Sequence, residues 1–511
     1  MISLNLDKNK IKHVKILAEI IASDIQDFID KHSSVSVERT ILRLYGVDGV
    51  DSEGIPLVNR IVDLLPNKET GVSKPFVAAM LKSGRNPQTT AEMIINKDIP
   101  FGEYRIEDID SINNTEKWLA NTVIIGLDTK KLNKIEKQRK WPLPEQPWRY
   151  IIVATGNIYE DRTQAKSAAQ AGADMIAVIR STAQSLLDYV PFGATTEGYG
   201  GTYATQENFK IMRKALDKVS EEQNRYIRLV NYSSGLCMAE IAACAAMEEL
   251  DVLLNDSMYG ILFRDINMER TFVDQYFSRL ICSRAGILIN TGEDNYLTTS
   301  DAMKKAHTVT ASDLINEATA KKAMLGDELL GLGHAFEIDP EIENALLYEI
   351  AHAQLIRQLF PNAPLKYMPP TKYKSTDIFF SHCLDTMFNL TSVTTKQGIH
   401  LAGLLTEAIH TPLMQDRYQS LTSVNYVFNI AKNLGDEIEI KKDGIIEKRA
   451  QHVLNEVEEF LEKVKNIGLM AAIEEGMFAD IKRPVYGGKG LEGVFKKGDD
   501  YSNPIIEELT K

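Results

Sequence analysis

From about residue 145 onward, short apolar runs end abruptly in polar residues, and each is followed by an amphipathic segment. RYIIVATG precedes the helical pattern DRTQAKSAAQAGA. DMIAVIRS, RYIRLVNYSS, DVLLNDS and AGILINTGEDN follow, separated by NFKIMRKALDKVSEEQ, MAEIAACAAMEEL and a helix from Met268 to Arg284. PLKYMPP and the stretch around TSVTTKQGIH are weaker strand candidates. A strand covered on both faces reads as a continuous apolar run, and repeated strand-then-helix units demand a parallel sheet. Six to eight such units over about 280 residues predict a (β/α)8 TIM barrel rather than an open, doubly wound sheet.

The flanks have a different texture. Val14, Leu17, Ile21, Ile25 and Phe28 recur at helical spacing, and Val453, Val457, Phe460 and Val464 do the same near the other end. Such stripes belong to helices packed on a larger body. The expected division is an N-terminal helical accessory segment over 1–125, the barrel over 126–430, and C-terminal accessory helices with a tail over 431–511. The tail KRPVYGGKGLEGVFKKGDDYSNP reads as extended or mobile. Its glycines lack the GK[ST] ending of a phosphate loop, and GLGH at 331–334 is too short for a dinucleotide fingerprint.

A formal charge of −13 argues against nucleic acid or an anionic membrane as the main partner. No window of about 18 uncharged apolar residues occurs, and the N-terminus lacks a signal-peptide core, so a cytoplasmic protein with no membrane span is expected. Cys237, Cys244, Cys282 and Cys383 show no CxxC pairing and read as core thiols, with no metal site expected. HExxH, GxSxG and Walker sequences are absent.

A parallel barrel carries its active site at the carboxyl ends of its strands, so the residues just past each apolar run hold the information. These are Arg180 to Ser185, then Asn231 to Ser234, then Asn255, Asp256, Ser257, Tyr259 and Arg264. Asn290 and Glu293 to Asn295 come next, followed by Lys366 and Glu407. Arg180 either grips a phosphate bidentately or closes a surface ion pair; Ser181, Thr182 and Ser185 add short donors where a helix begins. Tyr259 is placed either to stack on an aromatic ring or to sit half-buried in a loop. Asp294, Lys366 and Glu407 are either holders of an amine and a carboxylate or ordinary loop charges. Ser234 is a helix N-cap or a ligand contact. Together the set suits an anionic planar cofactor and a zwitterionic substrate.

RSTAQSLLDYVPFGATTEGYGGTYATQENF, NYSSGLCMAEIAACAAMEELDVLLNDSMYGILFRDINMERTFVDQYFSRLI and ILINTGEDNYLTTSDA closely resemble the α subunits of lysine 5,6-aminomutases, and the likeness spans essentially the whole chain. The resemblance implies an isomerase that moves the terminal amino group of D-lysine or L-β-lysine from C6 to C5 by a radical route. It implies two cofactors, pyridoxal 5'-phosphate in the barrel and adenosylcobalamin carried mainly by a β subunit, in an α2β2 assembly. Carried over residue by residue, Arg180, Ser181, Thr182, Ala183, Gln184 and Ser185 form the phosphate site. Ser234 faces the pyridine edge, Tyr259 lies against the ring, and Arg264 and Asn295 complete the cofactor contacts. Asp294, Lys366 and Glu407, with Tyr259, position the substrate. The D-x-H-x-x-G cobalamin segment is missing, since Asp30-Lys31-His32 has Val35 where the glycine belongs. That segment and the Schiff-base lysine are therefore expected from the β subunit, with Lys366 the rival lysine. An ornithine 4,5-aminomutase component and a cobalamin-free barrel lyase are the alternatives.

Overall fold

The computed structural model describes residues 3–102, 105, 108–181, 183–198, 201–232 and 235–511, with the backbone alone at 179–181. Among them, eight parallel strands close into a ring. In chain order these are β1 (Trp148–Ile152), β2 (Met175–Ser181), β3 (Arg228–Asn231), β4 (Val252–Leu254), β5 (Leu288–Asn290), β6, β7 (Lys366–Tyr367) and β8 (Ile399–Leu401). Leu332 splits β6 into Leu330–Gly331, which pairs with β5, and Gly333–His334, which pairs with β7. Pairing of β8 with β1 completes the circuit, so the expected (β/α)8 barrel is the fold observed.

Side chains alternate across each strand. Tyr150, Met175, Ala177, Val230, Val252, Leu288, Ile399 and Leu401 point inward and fill the barrel. Ile151, Ile176, Leu229, Leu253 and Ile289 point outward into the surrounding helices. Both faces of the sheet are thus dry, which is why the strands read as unbroken apolar runs. Helices Ile158–Gln170, Gln206–Gln223, Ala302–Lys322 and Ile378–Thr394 begin where Asn157, Thr205, Asp301 and Asp377 accept hydrogen bonds from first-turn amides. Each such cap contributes about 1 kcal/mol.

Helix Lys8–Ile29 buries Val14, Leu17, Ile21 and Ile25, while Phe28 is half-buried and stacks on His32 with ring centroids 4.0 Å apart. This helix and Ile445–Ile467 pack together on Ala302–Lys322, the second burying Val453, Val457, Phe460 and Val464. Helix Ile109–Lys140 runs past residue 125 and ends eight residues before β1. The tail is extended, as its composition predicts, and it is pinned. Asn267 Nδ2 donates to the carbonyls of Val485 (3.0 Å) and Gly487 (2.8 Å), and Val494–Lys496 pairs antiparallel with His32–Ser34.

Cys237, Cys244 and Cys282 are buried, as expected of core thiols, but Cys383 is exposed on helix Ile378–Thr394. That helix turns Leu384, Phe388 and Ser392 inward at helical spacing, which leaves Cys383 on its outer face. No helix among the described residues is long and apolar enough to cross a membrane.

Candidate active site at the barrel mouth

The carboxyl ends of the strands surround a cavity of about 580 Å³ whose lining includes Thr155, Tyr232, Tyr259, Asn295, Glu407 and Arg417. Its size is ordinary for a small-molecule site. Four strand ends contribute these residues, after β1, β3, β4 and β5, and the segment after β8 adds the last two. Tyr259 is set by helix Ser257–Arg264, which starts at β4 where Asp256 accepts from the Met258 amide at 3.0 Å. One turn later Arg264 Nη2 donates to the Tyr259 hydroxyl at 2.8 Å, which fixes the ring. Phe263 stacks against the same ring at 5.4 Å. Asn295 donates from Nδ2 to Gly292 O at 3.0 Å and lies beside Asp294 Oδ2 at 3.3 Å.

Directly behind these lining residues lies a buried ion pair. Lys366 Nζ, at the start of β7, is 3.0 Å from Asp294 Oδ1, and both side chains are 0 % exposed. Lys366 also sits over the Tyr232 ring, 5.6 Å from its centroid. Burial works to strip the proton from Lys366, but the Asp294 carboxylate outweighs it and holds the ammonium above its ordinary pKa. The pair occupies space that only a glycine leaves open. A Cβ on Gly333 in β6 would stand 2.2 Å from Asp294 Oδ1 and 3.2 Å from Lys366 Cε.

Two further features adjoin the pair, and the second, Lys374, escapes sequence reasoning. Asn290, the last residue of β5, is fully buried, and among the described residues its side-chain amide finds no hydrogen-bond partner on either atom. Lys374, in the loop after β7, reaches Glu407 Oε2 at 3.3 Å and Asp385 Oδ1 at 2.9 Å. Lys374 is 1 % exposed, so the half-exposed Glu407 is tethered by a cation drawn from inside the wall. Nothing periodic marks Lys374 in PPTKYKS; its loop position alone hints at the mouth. Beneath the site, Asp256, Glu293 and Asp313 form a buried acidic cluster. Asn316 donates to Glu293 and, at 3.4 Å, to Asp256 Oδ1. Burial, then the Asp256 charge, pushes Glu293 up to about 8, and burial with Glu293 raises Asp313 well above the carboxylate range.

The expected phosphate segment lies at the end of β2. The backbone of Arg180 and Ser181 pairs with Gly201–Thr202 across a register shift. The side chains of Arg180 and Ser181, and Thr182 and Ser234 altogether, lie outside the described residues. Ala183–Leu186 forms a single 3-10 turn. Gln184 is buried in it, donating to Ala204 O at 2.8 Å and accepting from Ala204 N at 2.5 Å. Ser185 is buried too, and its carbonyl accepts from Leu236 N at 3.2 Å. Gly235 lets the chain after β3 come this close: its φ is +137°, and a Cβ there would be 2.3 Å from Ser185 O. Gly198 N likewise donates to the carbonyl of Gly156, in the segment after β1, at 3.1 Å.

The structure thus brings Tyr259, Arg264, Asp294, Asn295, Lys366 and Glu407 to one end of the barrel. The whole chain also compares closely with known proteins. Residues 4–508 match the family described as D-lysine 5,6-aminomutase TIM-barrel domain of alpha subunit. A lysine 5,6-aminomutase alpha subunit of Acetoanaerobium sticklandii is 50% identical over 507 residues, covering 99% of this chain and 98% of that one. One from Fusobacterium nucleatum is 52% identical, covering 98% of each. A D-ornithine 4,5-aminomutase subunit beta from A. sticklandii is 26% identical over 366 residues, 69% of this chain and 49% of that one. With a match that runs almost end to end at half identity, this chain belongs to the lysine 5,6-aminomutase alpha-subunit family.

Proposed function

We propose that the barrel mouth binds pyridoxal 5'-phosphate and a lysine isomer, and that a β subunit brings adenosylcobalamin and the imine-forming lysine to it. The assembly is an isomerase that moves a terminal amino group by one carbon. The observation that carries the site assignment is the donor set around the cavity. An aromatic face (Tyr259) locked by a guanidinium (Arg264), an amide (Asn295), and buried charge just behind them suit a planar, charged cofactor better than an apolar ligand. The unpartnered Asn290 amide at the end of β5 adds polar capacity aimed into the same end of the barrel.

When bound, pyridoxal phosphate would supply a conjugated system able to delocalise an unpaired electron while the amino nitrogen passes from one carbon to the next; binding and positioning fall to this chain. Arg180 and the turn 183–186 hold the phosphate by charge and backbone donors. Tyr259 stacks on the ring, and Asn295 orients its polar edge. The Lys366–Asp294 pair exchanges partners with the substrate, Lys366 taking the carboxylate and Asp294 an ammonium. Glu407, held by Lys374, offers the second acid. Protonated Lys366, buried against Asp294, is a poor nucleophile, which supports an imine lysine from the partner rather than from this chain.

The test is co-expression with a β subunit that carries D-x-H-x-x-G, with both cofactors supplied. D-lysine or L-β-lysine is expected to give 2,5- or 3,5-diaminohexanoate together with an organic radical signal. Turnover of ornithine in place of lysine, or activity of this chain without cobalamin, would overturn the proposal.

A further inference from the structure

Asp188 ties the segment that leaves β2 to the N-terminal accessory helices. Asp188 follows the 183–186 turn, three residues past Ser185. Its carboxylate takes an ion pair from Arg39, on the accessory helix Val35–Leu44, and a second from Arg270 Nη2 at 2.8 Å, on helix Met268–Ala285. Its carbonyl accepts from Asn59 Nδ2 at 2.9 Å, on accessory helix Leu57–Asp63. Arg39 and Arg270 are themselves built in. Arg39 is 4 % exposed and its Nε donates to Glu240 Oε1 at 2.7 Å, with Arg43 on the other oxygen at 2.8 Å. Arg270 is 0 % exposed, donates to Asp274 Oδ2 at 2.8 Å, and reaches the Leu236 carbonyl at 2.9 Å. Asp274 in turn accepts from Ser34, the N-cap of the Arg39 helix.

These contacts form one frame around the segment that leaves β2. Glu240 lies on helix Met238–Met247, which begins just after Gly235 and Leu236, the residues packed on Ser185. Cys237 Sγ donates to Leu187 O at 3.4 Å. The loop after β2 is therefore gripped from the strand side by the chain after β3, and from outside by the accessory helices. Of the three groups holding Asp188, two come from residues before the barrel begins. An ordinary surface loop needs no such frame, and two buried guanidiniums converging on one half-exposed carboxylate are costly unless fixed geometry is required.

We infer that Arg39 and Asp188 are positioning residues: the accessory segment locks the 183–186 turn in the shape that receives the cofactor's phosphate. The inference rests on the pyridoxal phosphate reading above and assigns the N-terminal helices a part in it. Neither residue touches the cofactor. They act by removing conformational freedom from the donors that do, a cost the phosphate otherwise meets on binding.

The test compares pyridoxal 5'-phosphate with pyridoxal, which lacks the phosphate, on the full chain assembled with its partner subunit. Dissociation constants for both are measured on the parent, on Asp188→Asn and on Arg39→Met. Asp188→Asn leaves the Arg39–Glu240 contact in place, so it separates the loop link from the helix packing. The phosphate compound is expected to bind about tenfold more weakly to each variant while pyridoxal binding stays unchanged. Equal weakening of both ligands, or an unchanged constant for the phosphate compound, overturns the inference. A parent that does not prefer the phosphate compound overturns the cofactor reading itself and this inference with it.

Discussion

The Asp294–Lys366 pair is where single residues decide most. Removing Lys366 leaves a carboxylate buried without its cation, a change that costs about 3–5 kcal/mol. Lys366→Met is expected to show that loss in urea unfolding, and the loss is expected to depend on pH. Without Lys366, burial and the Asp256 charge act on Asp294 with only a backbone hydrogen bond against them, so its folded pKa stands above its unfolded value. A group of that kind stabilises at low pH and loses its contribution as pH rises. The deficit relative to the parent is therefore smaller at pH 5 than at pH 8; a pH-independent deficit would contradict the pairing. Gly333→Ala tests the same contact by steric means. The added methyl meets Asp294 Oδ1 and the Thr291 carbonyl at 2.5 Å or less. It is expected to cost about 1–3 kcal/mol and to lower lysine turnover more than it lowers cofactor binding. At this scale the strand-end rule named Tyr259, Arg264, Asp294, Asn295, Lys366 and Glu407, which the structure gathers at one end of the barrel; singly each reads as an ordinary polar loop residue, and only the recurrence across units carried the signal. Lys374 stayed hidden, since a lysine in a polar loop looks the same whether it faces solvent or is drawn into the wall.

Among elements, β1 to β5 carry clear apolar runs that alternation with helices makes visible, and even β7 and β8 carry weaker ones. β6 does not. It has Leu330, Leu332, His334 and two glycines, and those glycines make room for Asn290 and the Asp294 carboxylate. The site erased the very signal that marks a strand. Helix Ala302–Lys322 holds the other surprise, Asp313, which joins Glu293 and Asp256 in the acidic cluster. The folded pKa of Glu293 is raised to about 8 from an ordinary carboxylate value. Its stabilisation is thus complete below about pH 4.5 and is lost as pH rises through about 8. Unfolding free energy is expected to fall across that window by on the order of a few kcal/mol, and Glu293→Gln to flatten the fall. A variant with the same slope as the parent would show that Glu293 is ionised throughout.

At the scale of the molecule, the two ends of the chain meet. The tail strand Val494–Lys496 pairs with His32–Ser34, and Arg270 donates to the Gly490 carbonyl at 3.3 Å. The accessory segments therefore meet one another, touching the barrel beside the β2 and β3 exits and again on helix Ala302–Lys322. Composition predicted an extended tail, yet no local pattern reveals that it closes on the N-terminal helices. That pairing joins residues more than 450 positions apart, and short-range periodicity carries no information on it. The central claim is that the ring's mouth is a socket for the phosphate of vitamin B6. It is tested most directly by titrating the assembled protein with pyridoxal 5'-phosphate, beside an Arg180→Gln variant. One bound equivalent per chain is expected, with at least about tenfold weaker binding in the variant. No uptake by the parent, or equal affinity in the variant, would contradict it.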